Sequence, residues 1–176
     1  NLALAWIGLG ELGLARDELA KVVALAPQRA LAQAERGCLL VRLGRRAAAG
    51  EALDAALRHD VSLAAGYRCR GHLLRDGGDL TAAEAAYDQA LRLAPADAEA
   101  RFGRAVTLAL DGRGALAEGE FNALAERAPG DPGAHFARGY LLVQRGNLVA
   151  ARASLQRALG LLPRFPAAQL ALGAEA

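Results

Sequence analysis

Between residues 64 and 97 small and large apolar positions fall into an order suited to a pair of short helices. Tyr67, Gly71, Leu74, Ala83, Tyr87 and Ala90 carry those positions, Gly78-Asp79-Leu80 interrupts them, and Pro95 closes the stretch. The skeleton then repeats. Pro95, Pro129 and Pro163 stand 34 residues apart, and Gly71, Ala105 and Gly139 keep that step. Gly78, Gly112 and Gly146 keep it too, as do Ala83, Ala117 and Ala151, and Tyr87, Phe121 and Leu155. A fixed internal period outranks the ordinary expectation of one irregular globular domain for a chain of 176 residues.

Placing the closing proline at position 32 divides the chain into a truncated unit of about 1–29, then 30–63, 64–97, 98–131 and 132–165, and a partial unit over 166–176. Each full unit is expected to form two helices, A and B. In 64–97, A is predicted near 65–77 and B near 81–94, separated by Gly77-Gly78-Asp79. Glycine ends A because it takes the left-handed conformation without a Cβ penalty. Asp79 or Thr81 can cap B, and proline forbids its continuation. Gly71 and Ala83 allow close approach of A and B, with Tyr87 filling the space towards the next A helix. The unit 30–63 departs from the pattern by placing Val61 where proline is expected, which predicts a less sharply ended helix. The first unit keeps Ala3, Trp6, Gly10 and Pro27.

Hydrophobic residues make up 53%, mostly Ala and Leu, and aromatics only 5%. That balance suits close-packed helices better than a sheet. A net charge of +2 is too small to imply a nucleic-acid partner. No run of 18 or more uncharged apolar residues suggests a membrane span. Lys21 is the sole lysine among 21 basic residues, which with abundant Ala suggests the codon usage of a GC-rich bacterium. The chain begins without Met inside a repeat, so a segment of a longer protein is expected, in cytoplasm or periplasm.

Catalytic constellations are scarce. Glycine pairs sit at inter-helix turns with no preceding strand, excluding a nucleotide fingerprint, and no His-Glu-x-x-His or Cys-x-x-Cys occurs. His59, His72 and His135 occupy different positions of their repeats and do not gather. Ser62 and Ser154 have no histidine near them by repeat geometry. No enzyme activity, cofactor or metal is therefore expected of these residues.

A helix-turn-helix repeat of 34 residues with these small positions and a closing proline resembles the tetratricopeptide repeat. The resemblance covers nearly the whole chain. It implies an all-α, right-handed solenoid of stacked antiparallel helix pairs, stabilised by repeat and interface terms together. It further implies a scaffold that holds a protein or peptide segment on a concave face lined by A helices. Alternatives are a substrate-recruiting arm of a multidomain enzyme and a self-associating structural array.

In this family positions 2, 5, 6, 9, 12 and 13 look into the groove. Here they suggest a basic patch of Arg68, His72 and Arg75 beside an apolar floor of Phe102, Val106, Phe136, Tyr140 and Val143. Phe102 and Phe136 could instead pack against a neighbouring A helix. The family's carboxylate clamp is incomplete, because Gly103, Gly133 and Ala137 stand where Asn, Lys and Arg would be needed. Position 7, commonly Leu, is Arg36, Arg70, Arg104 and Arg138, a ladder expected to lie along the helices and reach carboxylates such as Glu51, Glu84 or Glu118, with an anion-binding stripe as the alternative. Cys38 and Cys69 fall on groove-facing positions of consecutive A helices. They read first as two small hydrophobic thiols, with a disulfide or a metal site including His72 as alternatives. Leu170 and Leu172 continue the apolar pattern with little polar cover, so an end-to-end dimer is expected unless further repeats follow.

Overall fold

The computed structural model describes residues 12–26 and 28–173. Ten helices occur among them: α1 Leu12–Leu25, α2 Ala30–Arg42, α3 Arg46–His59, α4 Ala64–Gly77, α5 Leu80–Leu93, α6 Ala98–Leu110, α7 Gly114–Arg127, α8 Pro132–Gln144, α9 Leu148–Leu161 and α10 Pro166–Gly173. No strand is present among the described residues. The fold is an all-α helical-repeat solenoid in which α2, α4, α6 and α8 are A helices and α3, α5, α7 and α9 their B partners. The third repeat gives helices 64–77 and 80–93, each beginning one residue ahead of the sequence-based expectation. Ala3, Trp6, Gly10 and Pro27 lie outside the described residues. Contacts group the chain into two compact units, 1–103 and 104–176, with the boundary inside α6.

Each A–B turn uses one glycine in one way. Gly44, Gly78, Gly112 and Gly146 have φ of 69°, 88°, 77° and 74°. Around Gly78, its own N–H reaches Arg75 O at 2.9 Å and Asp79 N–H reaches Leu74 O at 3.1 Å, and the other three turns repeat both bonds. A side chain at these positions would force a left-handed conformation that only glycine adopts cheaply. Asp79 then caps α5, its carboxylate accepting from Ala82 N–H at 3.0 Å.

In the first unit Tyr87 is fully buried with Ala83, Ala90, Leu91 and Ala100. A Cβ added at Gly71 or Gly103 would meet its ring at 2.7 and 2.5 Å, so Tyr87 requires glycine on both sides, in α4 and in the first part of α6. In the second unit Leu155 takes the equivalent place, 2.7 Å from a Cβ added at Gly139. A cluster of Ala105, Leu108, Ala117, Phe121, Leu124, Ala134, Ala137 and Leu141 fills the rest.

A clamp not foreseen from the sequence joins successive repeats. The side chain at position 4 donates to the carbonyl of the preceding closing proline: Arg101 Nη2 to Pro95 O at 3.1 Å, His135 Nε2 to Pro129 O at 3.1 Å, and Gln169 Nε2 to Pro163 O at 3.2 Å. The signal was a polar residue six places after each proline.

Two expectations need correction. The helix before Val61 ends no less sharply: α3 stops at His59, in the same register as Leu93, Arg127 and Leu161. Asp60 holds that turn, its carboxylate accepting from Ser62 N–H at 2.8 Å and Ser62 Oγ–H at 2.6 Å. The arginine ladder does reach carboxylates, Asp54 and Glu120 among them, but not Glu118. Arg70 pairs with Asp54 at 3.4 Å and Arg104 with Glu120, while Glu118 is taken by Arg145. Arg70 reaches back to α3 of the preceding repeat, whereas Arg104 reaches α7 of its own.

Candidate functional site

The candidate residues fall in two groups, one in each unit, and each group is described by itself. In the first unit, Arg68, His72 and Arg75 follow one another along α4, at the spacing that puts side chains on one helix face. Arg68 Nη1 donates to Asp97 Oδ2 at 2.8 Å, and its Nε lies 3.3 Å from Glu99 Oε2. The other oxygen of Asp97 accepts from Ala100 N–H at 3.0 Å and so caps α6. Arg68 thus ties α4 to the start of α6 and carries its own counter-charge, with side-chain exposure of 24% against 11% for Asp97. Arg75 is similarly engaged, Nε and Nη2 donating to Asp76 Oδ1 at 3.1 and 2.9 Å. The basic patch is therefore an array of paired guanidinium groups rather than a bare cationic surface.

His72 stands edge-on to Tyr87, ring centroids 5.5 Å apart and planes at 61°. Burial, and after it the positive charge of Arg75, lowers its pKa below the ordinary 6.5, so the ring is neutral at pH 7. Burial raises the pKa of the Tyr87 hydroxyl, which has no hydrogen-bond partner among the described residues. Phe102 lies at the edge of exposure at 36%.

Cys38 and Cys69 form a disulfide, Cα–Cα 5.2 Å, joining α2 to α4. This corrects the reading of two independent thiols and removes the metal alternative, since neither sulfur is available as a thiolate ligand. Among the described residues no group of three or more His, Cys, Asp or Glu could hold a metal ion. Sequence placed the two cysteines on consecutive A helices; the backbone separation that permits bonding is a tertiary fact.

In the second unit Phe136 is half-buried between two other rings. Tyr140, one turn along α8, lies 6.1 Å away at 34°, and Phe165 lies 4.9 Å away at 47°. Tyr140 is 52% exposed and forms the outer face of this cluster. Val106 packs on the margin of the unit's core, and Val143 is half-buried on α8. Phe165 was not among the residues singled out. The missed signal was that positions 5 and 34 of one repeat meet, as Arg68 and Asp97 do in the third.

Comparison with known proteins agrees with this geometry. Residues 70–132 match the tetratricopeptide repeat family. Those residues are tetratricopeptide repeats, and the helices on either side repeat the same hairpin. The structure of the chain is similar to a thermophilic tetratricopeptide repeat protein of Thermus thermophilus, with TM-score 0.87 at 20% identity, over 98% of this chain and 94% of that one. It is also similar to YrrB, a repeat protein described as having an unusual peptide-binding site, with TM-score 0.69 at 25% identity over 97% and 88% of the two chains. A third similar structure is pilF of Pseudomonas aeruginosa, TM-score 0.80 at 19% identity, over 97% and 78%. No curated protein matches the sequence. Tetratricopeptide repeats are in general protein-interaction scaffolds, and the chain has that architecture. No helix among the described residues is long and apolar enough to cross a membrane.

Proposed function

We propose that the chain holds a protein or peptide segment against the A-helix face, without catalysis of its own. The observation that carries this reading is the exposed Tyr140 over Phe136, at positions 9 and 5 of the fifth repeat, which point into the groove in this family. Exposed apolar clusters of this kind mark interaction surfaces, and aromatic anchors dominate binding energy where they are buried on association. The bound segment supplies an apolar side chain to Phe136, Tyr140 and Phe165. Independently, in the first unit, an acidic group of a partner exchanges with Asp76 or Glu99 for the guanidinium of Arg75 or Arg68. These carboxylates are 41% and 63% exposed, so solvent already competes for them.

Selection of binders from a random peptide library, followed by titration of the winners, tests this. Tyr140→Ala and Phe136→Ala should each weaken binding roughly tenfold or more with an unchanged circular dichroism spectrum. Arg92→Ala and Arg157→Ala, on exposed B-helix positions, should leave it unchanged. Equal losses from both pairs would move the site off the A-helix face.

A further inference from the structure

The junction between the second and third repeats is built differently from those that follow. Position 32 is Val61, 70% exposed, in place of proline. Position 4 is Tyr67, which makes no clamp to the Val61 carbonyl among the described residues. Leu63 precedes α4 with no side-chain cap, whereas Asp97 and Asp131 cap the helices they precede. One buried cluster at this junction is Leu40, Ala49 and Ala52, with Val41, Ala48 and Leu73 at its margin, and the buried Leu57 packs against Gly66 beside it. Surface links that cross it include the exposed Arg70–Asp54 pair and the bond from Arg46 to the Asp76 carbonyl. Exposed pairs contribute little.

The one covalent link in the chain lies at this junction. Cys38 and Cys69, 31 residues apart in sequence, bridge the two A helices. We propose that this disulfide takes the place of the missing proline closure, so that the second and third repeats are held together under oxidising conditions and loosened by a dithiol reductant. Cross-linking residues 31 apart removes loop-closure entropy from the unfolded chain, and small scaffolds are commonly stapled in this way. Disulfides persist in oxidising compartments, which is where the junction is complete.

Opening is a two-electron exchange. A thiolate of the reductant attacks Sγ of Cys38, which is half-buried, whereas Cys69 is 3% exposed. The S–S bond breaks and Cys69 leaves as a thiolate that takes up a proton. The second thiol of the reductant resolves the mixed disulfide, leaving two protein thiols and an oxidised reductant. Because both cysteines lie on the A-helix face, loosening would alter the groove there. That consequence rests on the binding function proposed above, and the measurement below does not.

Amide hydrogen exchange on the full chain, with and without a dithiol, is the test. Reduction should speed exchange in α2 through α4 roughly ten- to a hundredfold and leave α8 and α9 unchanged. Cys38→Ser should reproduce the loosening and abolish the response to dithiol. The double variant Val61→Pro, Tyr67→His installs the closure seen at Pro129 and His135. Asp60 already has the extended backbone, φ −146° and ψ 100°, that a following proline requires. This variant should recover much of the lost protection in the reduced protein. No change on reduction, or loosening spread equally over both units, overturns the proposal. Failure of the double variant to restore protection, with its fold intact in the oxidised state, overturns the substitution of disulfide for proline.

Discussion

The third and fifth repeats place the same two positions in contact and fill them with opposite chemistry. At positions 5 and 34 the third repeat has Arg68 and Asp97, bonded at 2.8 Å, and the fifth has Phe136 and Phe165, with centroids at 4.9 Å. At position 24 the third has Tyr87 and the fifth Leu155, each against a glycine of its A helix. The repeat fixes which positions touch and leaves open how they attract. An ion pair must satisfy two charges and is directional, so Asp97 spends its second oxygen on capping α6. A pair of rings needs no such partners and leaves a neighbouring Tyr140 exposed for other contacts. One repeat pairs its charges internally, and the other presents apolar surface.

Substitution at position 24 should have the largest effect. Tyr87→Ala should cost about 3–5 kcal/mol and Leu155→Ala about 2–5 kcal/mol, read from urea titration; near-zero loss for Tyr87→Ala would mean that its ring is not the centre of the third repeat. At positions 5 and 34, Asp97→Ala removes a counter-charge and a helix cap together and should cost about 1–3 kcal/mol. Phe165→Ala should cost about 1–2 kcal/mol through lost ring contact. Salt separates the two. In 1 M salt the Asp97 variant should lie closer to the parent, while the Phe165 difference should persist; parallel behaviour would erase the contrast drawn between the repeats.

His72 gives a smaller, pH-dependent effect confined to the first unit. Its pKa is lowered in the folded chain, chiefly by burial, so protonation favours the unfolded chain. Stability is unaffected above the ordinary histidine value of 6.5 and falls as pH drops through it, levelling once the folded-state pKa is passed. Thermal melts at pH 7.5 and at roughly pH 5 should show less of this loss in His72→Gln than in the parent. Smallest of all, Arg75→Ala removes an exposed pair with Asp76 and should change stability by under about 0.5 kcal/mol, so any larger loss of ligand binding reports the groove.

The 34-residue register, the helix-ending glycines and the buried small positions were legible because each follows from local rules: a left-handed turn needs glycine, and a close helix contact needs a missing side chain. Their spacing also placed Arg68, His72, Arg75, Phe136 and Tyr140 on A helices. The partners of those residues were not legible. Asp97 and Phe165 lie 29 residues beyond Arg68 and Phe136, and only folding of a whole repeat brings such positions together.

What the sequence by itself determined is therefore the repeat: its length, its two helices, its turns and its resemblance to the tetratricopeptide repeat. The tertiary structure decided which charges are already spent, which rings cluster, and that Cys38 and Cys69 are joined. The physical reason is range. Turn and packing constraints act within a few residues or at a fixed period, and so leave a mark in the order of amino acids. Ion pairing, ring contact and disulfide formation depend on distances of a few ångströms between residues about thirty apart, which only the folded backbone sets.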